Sequence, residues 1–246
     1  MSTDAFLLLL LVALVTRHAW APRPGLRGWG AQIALVLVQM LLAALLLDLP
    51  APVAVWTMLL AAQAAHILLL RRLANPHLAR TLSLALALLL LALVAGEAAM
   101  VGHPRVALAR ALDHWAASNA LLSALPPDTG HRLLVTAAAL WLAVMEANHP
   151  VAFFLKRIDL LPAAVTAAGP SPEPARGRMI GRLERGLVCL MALSGTLSGL
   201  GLLLAAKAFA RYRDMDERAF AEYVLIGTLL SISAALAVGL AFTLFI

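Results

Sequence analysis

Apolar runs of roughly bilayer length recur along this chain, separated by short loops that hold most of its arginines, and this pattern limits the possible folds more than any other feature. Seven runs stand out: Ala5–Thr16, Gly30–Leu47, Pro52–Leu70, Leu82–Met100, Leu133–Leu155, Gly186–Ala206 and Tyr223–Ile246. A helix needs about 20 apolar residues to cross a bilayer, and all but the first run approach that length. Of 246 residues, 63% are hydrophobic and 13% charged, and the mean hydropathy is +0.91. A soluble domain has about 45–50% apolar and about 25% charged residues, so a single water-facing fold cannot bury this much apolar side chain. The composition excludes a disordered chain, a nucleic-acid-binding tail and an ordinary enzyme with a wet surface. The expected fold is all-α: a polytopic α-helical membrane protein with about seven transmembrane helices and one interfacial amphipathic helix. The expected location is the bacterial cytoplasmic (inner) membrane, multi-pass, with the lipid bilayer as partner and no nucleic acid.

The net charge of +6 reads as orientation, because Lys and Arg collect in cytoplasmic loops. Only Lys156 and Lys207 of 19 basic residues are lysines, an Arg and Ala bias that fits a GC-rich bacterial genome. The loops after runs one, three and five carry Arg17, Arg23, Arg27, Arg71, Arg72, Arg80, Lys156, Arg157, Arg176, Arg178, Arg182 and Arg185, twelve in all. Those after runs four and six carry seven: Arg105, Arg110, Arg132, Lys207, Arg211, Arg213 and Arg218. Twelve against seven predicts an outside N-terminus and a cytoplasmic C-terminus. The first run competes with a signal peptide, but its start carries Asp4 and no basic residue, so it reads as a transmembrane helix. Between His103 and Leu125, Arg105, Arg110, Asp113 and His114 alternate with Val106, Leu108, Leu112 and Trp115, the pattern of an interfacial helix.

Prolines divide the chain. Residues 161–176 form a Pro/Ala-rich linker, in which Pro170, Pro172 and Pro174 forbid a continuous helix. It separates an N-terminal multi-helix membrane part (1–160) from a C-terminal transmembrane hairpin (177–246). Pro126-Pro127-Asp128-Thr129-Gly130 marks a turn before the fifth run. Cys189, the only cysteine, lies in an apolar run and reads as a small core residue.

Small residues recur every four positions along the seventh run, at Gly227, Ser231, Ala235 and Gly239, and the sixth run offers Gly195 and Gly199. Such stripes let helix backbones approach closely in lipid, which predicts a tightly packed hairpin with Val224 and Val238 off the contact face. Lys207 and Arg211 share a face near the end of the sixth run and predict a pair with Glu222. In one continuous helix Glu184 stands about 34 Å from Lys207, which predicts that those two do not pair. Over Gly177 to Gly239 the ordered pattern is Ile180-Gly181, Leu183-Glu184-Arg185, Ala206-Lys207, Arg211, Ala221-Glu222-Tyr223, Ile226-Gly227-Thr228 and Leu229-Leu230-Ser231. In these residues the chain resembles the domain-of-unknown-function-3307 family of bacterial multi-pass membrane proteins. The resemblance implies a membrane address and makes these positions structural or functional candidates, and it implies no activity.

Polar side chains inside lipid are costly, so each is a functional candidate. They are Gln39 in the second run, Gln63 and His66 on one face of the third, Glu97 near the end of the fourth, and Glu146 and His149 as an E-x-x-H pair in the fifth. An E-x-x-H pair holds metal in a four-helix bundle only when a second copy and two further carboxylates converge on it. This chain has no second copy, so the pair reads as a polar helix–helix contact, with Pro150 kinking the helix and freeing a carbonyl for Asn148 or water. His77, His103, His114 and His131 fall in loops and are expected to be solvated. The soluble-enzyme signatures G-x-S-x-G, H-E-x-x-H, P-loop and G-x-G-x-x-G do not occur. No catalytic residue, cofactor or metal is assigned. The leading expectation is a non-enzymatic scaffold or sensor subunit with a cytoplasmic protein partner. A small transporter or channel needs Gln39, Gln63, His66, Glu97 and Glu146 to line one cavity, and a metal-dependent hydrolase needs His66, Glu146 and His149 to meet.

Overall fold

A computed structural model describes residues 3–19, 29–48, 52–96, 103–104, 106, 110, 114, 126, 128–157, 173–210 and 218–246. The described chain is all-α apart from one two-residue bridge, and it divides into two compact units. The first comprises Met1–Ala74 and Leu82–Ala138, the second Asn75–Thr81 and Ala139–Ile246. The division falls inside the fifth apolar run and not at the proline linker.

In the first unit, α1 (Thr3–Ala19), α2 (Trp29–Leu46), α3 (Pro52–Arg72) and most of α4 (Pro76–Gly96) pack together. Leu7, Leu9, Leu14, Ala43, Val55, Leu59 and Leu91 are buried between them. On α2, Leu37, Leu41 and Leu45 recur every four residues and are each more than half exposed. An outward leucine stripe is unfavourable in water and is the surface a helix offers to lipid. After α2, Leu47 and Asp48 pair antiparallel with Pro104 and His103. Of the expected interfacial helix, only Val106, Arg110 and His114 are described beyond that bridge, all helical and exposed. The fourth helix starts earlier than its apolar run because Asn75 caps it. The Asn75 Oδ1 accepts from the backbone N–H of His77 at 3.0 Å and of Leu78 at 3.4 Å, with Pro76 in the first helical position.

In the second unit the fifth run is one long helix in three parts: the end of α5 (Thr129–Trp141), a π segment (Leu142–Glu146) and α6 (Asn148–Arg157). The widened turn is closed by Ala147 N–H donating to Leu142 O at 2.9 Å. Then follow α7 (Glu173–Leu193), α8 (Gly199–Ala210) and α9 (Arg218–Phe242), which ends in a 3₁₀ turn at Thr243–Phe245. Pro174 sits just inside α7, where its missing N–H costs nothing.

The sixth run is the main departure from the sequence reading: it is two helices. Gly195 adopts φ +70, a conformation that a side chain disfavours. Its N–H donates to Ala192 O, and Thr196 N–H donates to Met191 O, which closes a Schellman motif. α8 then folds back, and the Lys207 ammonium meets the Glu184 carboxylate. The expected 34 Å separation held only for an unbroken helix. α9 next runs parallel to α7, since Ser231 meets Arg185 and Gly239 meets Cys189 and Ala192 further along both helices.

Two described helices are long and apolar enough to cross a bilayer, Thr129–Arg157 with 29 residues and Ala221–Phe245 with 25. Shorter apolar helices cover Asp4–Thr16, Val36–Leu46, Pro76–Leu91 and Gly199–Ala210.

Candidate functional site

Two polar constellations lie inside the helical packing, one in each unit. In the first unit, His66 lies seven residues before the turn at Leu73 and Ser83 eight after Asn75, so the antiparallel helices bring them level. His66 Nδ1 and Ser83 Oγ are 2.8 Å apart, and both side chains are buried. Gln39 and Gln63, 4% and 6% exposed, join His66 in the wall of a cavity of about 20 Å³. Ala13 of α1, Met58 of α3 and Leu91 of α4 contribute apolar parts of that wall. A cavity of this size accommodates one water molecule. The Gln63 Nε2 amide has no hydrogen-bond partner among the described residues. The lining offers neutral donors and acceptors and one imidazole, which suits hydrogen-bonding to a water-sized guest.

In the second unit Arg185, 4% exposed, stands at the centre of the packing. Its Nε donates to Ala143 O at 3.0 Å and its two Nη groups to Val144 O and Ser231 Oγ, each at 3.2 Å. A carbonyl has two lone pairs, so the π segment receives a second donor while its own helix persists. One guanidinium thereby ties α7, the π segment and α9 together. Thr228 and Tyr223 on α9 and Gly181 on α7 are half-buried, and Glu222 is exposed.

At the start of α4, Arg80 Nη1 lies 3.0 Å from His149 Nε2, and His149 Nδ1 lies 3.3 Å from His77 Nδ1. Burial holds His77 below the ordinary histidine value, and the Lys156 ammonium and the Arg80 guanidinium push the same way. Glu146 is buried and acts electrostatically on Arg80.

The polar candidates thus fall into two groups. Gln39, Gln63 and His66 share a cavity, whereas Glu146 and His149 belong to the second unit, and Glu97 and Arg211 lie outside the described residues. Among the described residues no three His, Cys, Asp or Glu side chains gather as a metal site. The expectation that the loop histidines are solvated fails twice: His77 meets His149, and His131 Nδ1 lies 2.5 Å from Asp4 Oδ1. Ser83, His77 and Arg80 were missed; the visible signal was Asn75-Pro76, which starts α4 early enough to carry His77 and Arg80. Val224, expected to face outward, is buried at 7% exposure, while its neighbour Leu225 is 59% exposed. No family model, curated protein or solved structure matches this chain.

Proposed function

We propose that this chain is a multi-pass protein of the bacterial cytoplasmic membrane that works without catalysis, as a scaffold or sensor subunit for a cytoplasmic partner. The resemblance to the domain-of-unknown-function-3307 family agrees with that address. The observation that carries the reading is the gathering of helix ends in the second unit. Leu155 of α6 is level with Gly227 of α9, Glu184 of α7 with Lys207 of α8, and Arg185 of α7 with Ser231 of α9. The end of α6, the start of α7, the end of α8 and the start of α9 therefore share one end of the unit. Lys156, Arg157 and Arg182 are exposed toward that end, while Arg185, Lys207 and Arg80 are engaged with the fold. A basic surface of this kind suits an acidic protein partner at the membrane face.

Site-directed photocrosslinking from Arg157 in native membranes tests the reading. A single protein adduct, lost in a Lys156→Glu/Arg182→Glu variant that keeps the probe at 157, supports it. Adducts to lipid alone, or protein adducts indifferent to the charge reversal, overturn it.

A second reading, a small transporter, draws on the convergence of Gln39, Gln63 and His66 on one cavity. A space for one water limits the guest to that scale. Water or proton flux in vesicles containing the protein, abolished by Gln63→Leu, favours this reading over the first.

A further inference from the structure

The contact between His77, His149 and Arg80 has a fixed proton direction. An arginine guanidinium only donates, so His149 Nε2, 3.0 Å from Arg80 Nη1, is the acceptor and carries no proton. The single proton of a neutral His149 then sits on Nδ1. That nitrogen faces His77 Nδ1 at 3.3 Å, which must accept, leaving the His77 proton on Nε2. The chain runs Arg80 to His149 to His77, with both rings neutral and each in one tautomer. The rings lie 5.6 Å apart between centroids.

We infer that this relay is an acid-released latch, fastening the first turn of α4 to α6 while both histidines are neutral and letting go when either takes up a proton. A proton on His149 Nε2 points two donors at each other across the Arg80 contact. A proton on His77 Nδ1 does the same across the His77–His149 contact. Either event also adds a positive charge beside Arg80 and Lys156. Glu146, the carboxylate of the adjoining π segment, acts on Arg80. α7, packed on that segment, presents Arg185, whose donors are directed to Ala143 O, Val144 O and Ser231. α9, packed on α6, carries Glu222 and Tyr223 near its start, and neither is among the charges acting on His77.

The position of His77 below the ordinary histidine value supports the sign. The released segment binds a proton more readily than the fastened one, so the latch is complete above about pH 6.5 and weakens as the pH falls below it. It loosens in acid and not in base. Asn75 shares the consequence, because its side chain accepts the His77 and Leu78 amides within the same turn.

Hydrogen exchange of the peptide covering residues 73–82 in the full chain, at pH 7.5 and pH 5.5 and corrected for intrinsic rates, tests the latch. Exchange in wild type should quicken in acid by up to about tenfold, the limit for an ordinary histidine that takes its proton only in the released segment. Glutamine reproduces the neutral relay, since at 149 its oxygen accepts from Arg80 and its amide donates onward, and at 77 its oxygen accepts. The His77→Gln/His149→Gln variant should exchange slowly at both pH values, and His149→Lys fast at both. Equal wild-type exchange at the two pH values overturns the latch, as does an acid response that survives in the double variant. Nitrogen-15 shifts of wild-type imidazoles give a reading without any variant. His149 must show an unprotonated Nε2 and a protonated Nδ1 at pH 7.5, and the opposite tautomer overturns the assignment.

Discussion

Two glycines on one face of α9 should respond to alanine with opposite signs. A Cβ built at Gly239 falls 2.5 Å from Ala192 Cβ, 3.0 Å from Cys189 O and 3.4 Å from Cys189 Cα. These are backbone or rigid atoms of α7, so the helices must move apart, at an overpacking cost of about 1–3 kcal/mol. At Gly227 the nearest atom is Leu155 Cδ1 at 3.5 Å, the tip of a flexible side chain in ordinary contact. Both substitutions gain about 0.8–1.0 kcal/mol of helix propensity. Gly227→Ala should therefore stabilise by nearly that full amount, and Gly239→Ala should fall below it by about 1–3 kcal/mol. At about 2–4 °C per kcal/mol the two variants separate by roughly 2–12 °C in melting temperature. Thermal unfolding in one detergent, followed by tryptophan fluorescence, measures this directly. A Gly239→Ala protein melting at or above Gly227→Ala would refute the close approach of α7 and α9.

Arg185→Lys keeps the charge but loses the fork that reaches three acceptors, so it should destabilise by about 3–5 kcal/mol. Arg185→Met removes the buried charge altogether and should cost less; melting temperatures in the reverse order would sink the clamp. Glu184→Gln and Lys207→Met should each reduce folded yield, with partial recovery when combined, because each alone strands a mostly buried charge. Yields that fall additively in the double variant argue that the two are not partners. The Arg132 hydrogen bond holds the exposed Asp128 carboxyl below its ordinary value. Its contribution to the start of α5 is thus present above the ordinary carboxyl range and lost as the pH falls through the folded value. In Arg132→Met, carbon-13 titration should find the Asp128 midpoint moved upward, and an unmoved midpoint contradicts the pairing.

What the sequence disclosed was set by length scale. Run length and apolar content disclosed the helices, because both are properties of one element read along the chain. The small stripe of α9 was equally visible, and its contact with Cys189 and Ala192 follows from it. The partner surface was not visible, since Gly195 reads as one more small residue in a small-residue stretch until its positive φ is known. From that one position followed the errors about Lys207 and Glu184. Gln63 and His66 are legible as a pair because they share a helix face, three residues apart. Ser83 was hidden because its link to His66 depends on the turn at Leu73–Asn75, which sets the pairing level of two helices. His77 and Arg80 precede the apolar run and read as loop residues, whereas the Asn75 cap places the start of α4 ahead of both.

A chain that doubles back inside an apolar run changes sides one time fewer than its runs suggest. α7 ends at Leu193, about 14 Å beyond Glu184 at 1.5 Å per residue, which is less than half a hydrocarbon core of about 30 Å. It then turns at Gly195, and α8 returns to the level of Glu184. In a bilayer, the connections before α7 and after α8 consequently leave on the same side. Counted on the expectation that each of the other runs crosses, Lys207, Arg211, Arg213 and Arg218 pass from the smaller basic group to the larger, and twelve against seven becomes sixteen against three. Under the proposed membrane placement the positive-inside bias is then stronger. On the membrane placement proposed above, the same parity sends α9 outward from the cytoplasmic face, and a reporter fused after Ile246 should register the opposite compartment from one inserted after Arg157.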